Sequence, residues 1–238
     1  MNKIICLWSC PRNVSTALMY SFAQRSDTVV FDEPLYAHYL KHTGLAHPGR
    51  GNVLDAQESN GKKVVEQIIL KNRDKISFHK LMAHFLINIG MDFLSRVSNI
   101  IFIRDPKEII GSYTKVITNP TLEDIGLEKQ YELYKYLMKL GKPPIILDSK
   151  YLLQNPELVL QELCSLLAIE FDKNMLRWER GARKEDGVWA KYWYKSIHNS
   201  TGFLPYEEKH INLKNSDMRL YEKCLPFYEF LTSKSIKI

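Results

Sequence analysis

The chain has 238 residues, 45% of them hydrophobic and 11% aromatic, and a formal net charge of +6. That length and composition fit one domain with a real core, over residues 1–238, and exclude a disordered or fibrous chain. The modest basic excess suits an anionic small molecule, an acidic substrate or nucleic acid without choosing among them, and a lysine-rich solvated surface is the plainest account of it.

Lys3 to Ser9 reads as a buried strand. A polar turn, Cys10 to Thr16, and a helix-like run, Ala17 to Gln24, follow it. Thr28 to Asp32 is a second strand, stopped by Pro34 so that Asp32 and Glu33 stand at its carboxyl end. Leu35 to Lys41 fits a short helix. Thr43 to Gly61, broken by Gly44, Pro48, Gly49 and Gly51, reads as a long loop or lid, with His38, His42 and His47 as surface histidines near it. Lys62 to Asn72 fits helix or strand equally well. Lys75 to Leu81 is a third strand and Met82 to Leu94 a helix. Asn99 to Arg104 is apolar on both faces and suits the centre of a parallel sheet. Asp105-Pro106 open a helix to about Val116, and Glu123 to Leu140 forms another. A last strand, Ile145 to Asp148, precedes an amphipathic helix from Pro156 to Leu167. The remainder reads as short helices and loops, including an aromatic segment over residues 181–205 that holds Trp189, Tyr192, Trp193 and Tyr194 and reads first as core packing.

Strands alternating with helices predict an α/β fold with a parallel sheet covered on both faces. Ligands of such sheets sit at the carboxyl ends of the strands. The polar clusters fall there: Arg12 to Thr16, Asp32 and Glu33, His79 and Lys80, and Arg104. A strand, a tight loop and a helix N-terminus aim backbone N–H groups at one point, and Arg12, Ser15 and Thr16 add a cation and hydroxyls, which together suit a phosphate-like group. The Gly-x-x-x-x-Gly-Lys-Ser/Thr string of nucleotide triphosphatases does not occur. Four cysteines, Cys6, Cys10, Cys164 and Cys224, lack metal-site spacing and read as free thiols. No run approaches the ~20 apolar residues of a membrane span, and the expected location is the cytoplasm, with no membrane partner.

Pro11-Arg12-Asn13-Val14-Ser15-Thr16 resembles the loop with which sulfotransferases using 3′-phosphoadenosine 5′-phosphosulfate (PAPS) hold the phosphosulfate. Arg104-Asp105-Pro106, with Ser112 eight residues after the arginine, is similar to that family's 3′-phosphate motif. Leu153 to Glu157 and Asp32 to Leu35 resemble two further stretches of the family. The resemblance covers about Ile4 to Phe171 and implies a three-layer, P-loop-like fold. It also implies PAPS as sulfuryl donor, bound by Arg12, Asn13, Val14, Ser15, Thr16, Arg104 and Ser112, with no metal. The loop departs from the pattern at Val14, where the family has glycine, and the usual Lys-Thr-His is replaced by Phe78-His79-Lys80-Leu81-Met82.

Sulfuryl transfer to a hydroxyl or amine needs a base at the acceptor and a cation at the leaving oxygen. Arg12 fits the second task. Glu33 is the first candidate for the base and His79 the second; Glu33 paired to a cation would instead organise the pocket. Lys80 either holds the sulfate or is an exposed lysine. The expected function is PAPS-dependent transfer to a small or carbohydrate-like acceptor. A non-catalytic module of the same fold and a nucleotide-dependent phosphotransferase are the alternatives, and no nucleic-acid-binding module is recognisable.

Overall fold

Five apolar runs of four to seven residues pair side by side as parallel strands: β1 (Ile4–Ser9), β2 (Thr28–Asp32), β3 (Ile76–Met82), β4 (Ser98–Ile103) and β5 (Ile145–Asp148). The computed structural model describes residues 3–208 and 210–237. Among them the strand order is β2-β3-β1-β4-β5. β1 lies at the centre, with Ile5 opposite Phe78 on one side and Ser98 on the other. The chain moves from β3 across β1 to β4, and this reversal opens a crevice at the carboxyl ends of the strands.

Helices cover both faces. Those of seven or more residues are α1 (Ser15–Ala23), α2 (Tyr36–Thr43), α3 (Arg50–Ala56), α4 (Pro106–Tyr113), α5 (Leu127–Lys139), α6 (Pro156–Leu166) and α7 (Asn215–Thr232). Strand side chains alternate between faces with period two. Ile5, Leu7, Phe78, Ile100 and Phe102 face α1 and α6 through Leu18, Phe22, Leu160 and Leu163. Cys6, Trp8, Leu81, Ile101 and Ile103 face the other layer, with Leu40, Leu133, Leu137 and Leu220. Each such side chain, removed from water, contributes about 1.5–3 kcal/mol. The fold is three-layered α/β, as the strand–helix alternation predicts.

Several expectations are corrected. Residues 43–61 are not one long loop: α3 fills their middle, and Asn60 caps a short helix that starts at Gly61. Met82 to Leu94 is not an α-helix; β3 runs to Met82, and 3₁₀ turns follow at Ala83–Phe85 and Asp92–Arg96. The helix expected over 123–140 is broken at Gly126, whose φ of 78° ends one helix and begins α5. The eighteen-residue α7 lies where only short helices were expected. Among the described residues no helix is long and apolar enough to cross a membrane.

Candidate active site

The carboxyl ends of β1, β3 and β4 open on a cleft of about 600 Å³. Its floor is the turn after β1. Ser9 Oγ donates to Asn13 Oδ1 at 2.6 Å, and Asn13 Nδ2 donates to the Phe102 carbonyl. Gln130 Nε2, from α5, donates to the carbonyls of Trp8 and Phe102 at 2.9 and 2.7 Å. These bonds pin the turn to β4. Arg12 and Val14 are held at φ of 60° and 58°, a region rare for a β-branched residue. Such strain gathers at functional sites because the surroundings over-determine it. Among the described residues no side chain caps α1, whose first residues Ser15 and Thr16 line the cleft. The uncapped N-terminus leaves amide donors for an anion.

The two arginines that sequence reading set about ninety residues apart share this cleft. Arg12 Nε donates to Ser112 Oγ at 3.0 Å, which ties the turn after β1 to α4. Arg104 donates through one guanidinium nitrogen to the Arg12 carbonyl, and through Nε and the other nitrogen to Glu108 Oε2. Burial, and then the like charge of Arg104, push the Arg12 guanidinium below its usual pKa. Two cations crowded in this way favour an anion between them.

The opposite wall is built from the ends of β2 and β3. Lys80 is 1% exposed, and its ammonium lies 2.7 Å from Asp32 Oδ1 and 2.8 Å from Glu33 Oε1. It also donates to the Tyr194 hydroxyl and, at 3.2 Å, to Thr16 Oγ1 of α1. Burial alone would lower its pKa, but Asp32 and Glu33 outweigh burial and hold the ammonium charged. Burial raises the Glu33 carboxyl, and the negative charge of Asp32 adds to that rise against the pull of Lys80. Two carboxylates around one ammonium leave a net negative charge, so Glu33 holds a proton more readily than a free glutamate. Asp32 accepts from the Tyr194 hydroxyl and from the Gly187 amide at 3.0 Å. Glu33 is itself at a φ of 41°.

Arg12, Asn13, Val14, Ser15, Thr16, Glu33, Arg104 and Ser112 therefore all line one cleft. The Asn13 side chain is spent on anchoring the loop. Lys80 is not an exposed lysine. His79 is corrected: it is not in the cleft. One residue out of phase with Lys80, it turns to the other face of β3 and stacks on Phe31 at 4.6 Å, with both ring nitrogens buried and unpartnered among the described residues. Burial lowers its pKa from 6.5 to about 3. Between those values the unfolded chain binds the proton and the folded chain does not, so stability falls as pH drops through 6.5. At about 1.4 kcal/mol per pH unit, wild type loses about 2 kcal/mol to this one group between pH 7 and pH 5. His79→Phe is expected to lose that much less over the same interval, read from urea midpoints. Equal losses in the two proteins would place the His79 pKa near its ordinary value.

Sequence reading missed other lining residues. His47 lines the cleft, is half-buried and bonds the Tyr36 hydroxyl at 2.9 Å; His38, outside the cleft, is buried and bonds the Ile87 carbonyl at 2.7 Å; neither is a surface histidine. Trp189 and Tyr194 are both core and cleft wall. Residues 203–207 run along the rim, where the Tyr206 hydroxyl donates to Glu108 at 3.1 Å. Among the described residues no group of three or more His, Cys, Asp or Glu side chains is placed to hold a metal ion.

A family model described as "Sulfotransferase domain" matches residues 2–235. Two curated relatives from Arabidopsis thaliana, branched-chain-amino-acid aminotransferase-like proteins 1 and 2, are 41% identical over 235 residues and 39% identical over 231. The alignments cover 97% and 96% of this chain but only 42% and 41% of theirs, so the chain spans about two fifths of the length of these relatives. Among solved structures, the sulfotransferase domain of the curacin biosynthetic pathway superposes with a TM-score of 0.54 at 18% identity, covering 94% of this chain and 97% of its own. A sulfotransferase from Alicyclobacillus acidocaldarius gives 0.55 at 11% identity, covering 99% and 98%. Identities this low speak to the fold alone. The family model, which spans nearly the whole chain, goes further: this protein belongs to the sulfotransferase domain family.

Proposed function

We propose that the chain moves a sulfuryl group from PAPS to the hydroxyl or amine of a small acceptor held in the cleft. The observation that carries this reading is the Arg12–Ser112 bond, with Arg104 on the Arg12 carbonyl. It joins two anion motifs into one wall of the cleft. The Ser15 and Thr16 amides and Arg12 suit the 5′-phosphosulfate, and Arg104 with Ser112 suits the 3′-phosphate.

When bound, PAPS supplies a sulfur atom whose bond to the 5′-phosphate oxygen breaks, the electron pair leaving on that oxygen, as the acceptor oxygen or nitrogen bonds to sulfur. Glu33 takes the acceptor proton. Its raised proton affinity suits that task, since a base works best with a pKa nearer the operating pH. Arg12 and the α1 amides stabilise charge on the departing oxygen. Lys80, bonded both to Thr16 of α1 and to Glu33, sits between the donor loop and the base and orients the two.

Calorimetric titration tests the donor assignment. The protein is expected to bind 3′,5′-adenosine bisphosphate more tightly than ATP with magnesium. Arg104→Ala is expected to weaken bisphosphate binding about 10- to 100-fold, the loss of a charge-assisted contact, with an unchanged circular dichroism spectrum. Tighter binding of ATP, or equal bisphosphate affinity in Arg104→Ala, rejects the assignment.

A further inference from the structure

The Lys80 ammonium has more partners than protons. It carries three N–H bonds. Among the described residues four oxygens lie within hydrogen-bond reach: Asp32 Oδ1 at 2.7 Å, Glu33 Oε1 at 2.8 Å, the Tyr194 hydroxyl at 2.5 Å and Thr16 Oγ1 at 3.2 Å. How the three protons are shared decides whether the charge serves the base or the donor loop.

The Tyr194 hydroxyl governs that division. A phenol has one proton and two lone pairs. The proton goes to Asp32, whose carboxylate oxygens lie at 2.7 and 2.9 Å. The lone pairs face donors, Lys80 and, at 3.3 Å, Trp189 Nε1. Burial first, and the charge of Asp32 next, push the phenol far above its usual pKa, so it keeps its proton. With each of its slots filled, the hydroxyl has one orientation. One ammonium proton then points at Tyr194 and two at the carboxylates, while Thr16 keeps the longest contact.

Tyr194 is itself held from outside the cleft. It stands between two short helices, Ala190–Trp193 and Lys195–His198. Before them, Asp186 accepts from the Tyr20 hydroxyl of α1 at 2.7 Å, and the Gly187 amide donates to Asp32. After them, His198 Nε2 lies 2.9 Å from Asp186 and closes the stretch on itself. These ties to α1 and β2 fix the hydroxyl over Lys80.

We infer that Tyr194 is a positioning residue of the transfer reaction. Its hydroxyl turns the Lys80 ammonium toward Asp32 and Glu33 and away from Thr16, and so sets how readily Glu33 holds a proton. This rests on the transfer reading above and deepens it. Two other phenols act on Glu33, Tyr36 of α2 and Tyr113 of α4, and burial raises both, so both are neutral. Among the described residues the charges that act on Glu33 are Lys80 and Asp32, and Tyr194 bonds to both.

Tyr194→Phe in the full chain tests the inference. Phenylalanine keeps the ring beside the Lys80 ammonium, whose nitrogen lies 4.9 Å from the ring centroid. Only the hydroxyl goes. Asp32 then loses a donor that offsets its charge, and the freed ammonium proton draws Lys80 toward Thr16. Both changes raise the proton affinity of Glu33, which must be ionised to act as a base. Single-turnover transfer with saturating PAPS is expected to slow about 10- to 100-fold at pH 5.5, the worth of a hydrogen bond to a charged group. The deficit should be at least about fivefold smaller at pH 8, where Glu33 is ionised in both proteins. Bisphosphate affinity within about threefold of wild type reports an intact fold.

Nuclear magnetic resonance of the ¹⁵N-labelled protein gives a reading free of activity. The Lys80 ammonium protons of wild type should exchange with water at least about tenfold more slowly than those of exposed lysines, and about fivefold or more faster in Tyr194→Phe. The inference is overturned if the variant slows by the same factor at both pH values, the mark of a merely structural role, or does not slow. It also falls if the wild-type Lys80 protons exchange as fast as exposed ones, a result that needs no variant. Slow wild-type exchange that speeds up in the variant, in a protein that transfers nothing from PAPS, supports the hold of Tyr194 on Lys80 and rejects the transfer reading.

Discussion

Lys80→Met is expected to lower the unfolding free energy by about 3–5 kcal/mol, the loss seen when one partner is removed from a buried ion pair. Methionine fills nearly the same volume, so packing changes little. The electrostatics change sharply, because the Lys80 side chain is 1% exposed and its ammonium separates two carboxylates that are 1% and 8% exposed. Without it, Asp32 and Glu33 face each other with no counter-charge, and one must take up a proton or draw in water. Urea unfolding at pH 7 measures the loss. The deficit should shrink toward pH 5, since a carboxyl whose folded pKa is raised favours the folded state as pH falls. A loss below about 1 kcal/mol at pH 7 would mean that Lys80 contributes little beyond its place in the cleft.

Glu33→Gln is expected to lower kcat by about 10²- to 10⁴-fold, the usual worth of a general base, while bisphosphate affinity stays within about threefold. The amide keeps the carboxylate's shape and its place at the end of β2, and the Lys80–Asp32 pair remains. What is lost is the capacity to accept a proton. Single-turnover sulfuryl transfer with saturating donor isolates that step. A rate within tenfold of wild type would move the base elsewhere in the cleft, which His47 also lines.

Much of this site is legible in the sequence because strand ends announce themselves. An apolar run stopped by Arg104-Asp105-Pro106, or by Asp32-Glu33-Pro34, fixes both the strand and the side of the sheet on which its polar residues gather. Asp105 does cap α4, accepting from the Lys107 amide, as its place before Pro106 suggests. What fails is phase and distance. His79 and Lys80 are equally plausible as letters, and only the register of β3 against β2, Asp32 opposite Lys80, decides which faces the cleft. Tyr194 and Asp32 lie 162 residues apart, and no local pattern joins them. His84 sits in a 3₁₀ turn near the start of the helix expected over Met82 to Leu94. The α7 helix hid behind an internal Pro226 and a sparse buried stripe of Leu220, Cys224 and Leu231.

The bond from Tyr194 to Asp32 also sets an order of events during synthesis. All five strands have been translated once Asp148 is made, ahead of the residues that steady the cleft. Gly187 and Tyr194, which steady the carboxylate beside Lys80, are translated later, a delay of some seconds at about 5–20 residues per second. Until they arrive, a nascent chain holds the strands of the sheet while the Lys80–Asp32 pair at its edge is still open to water.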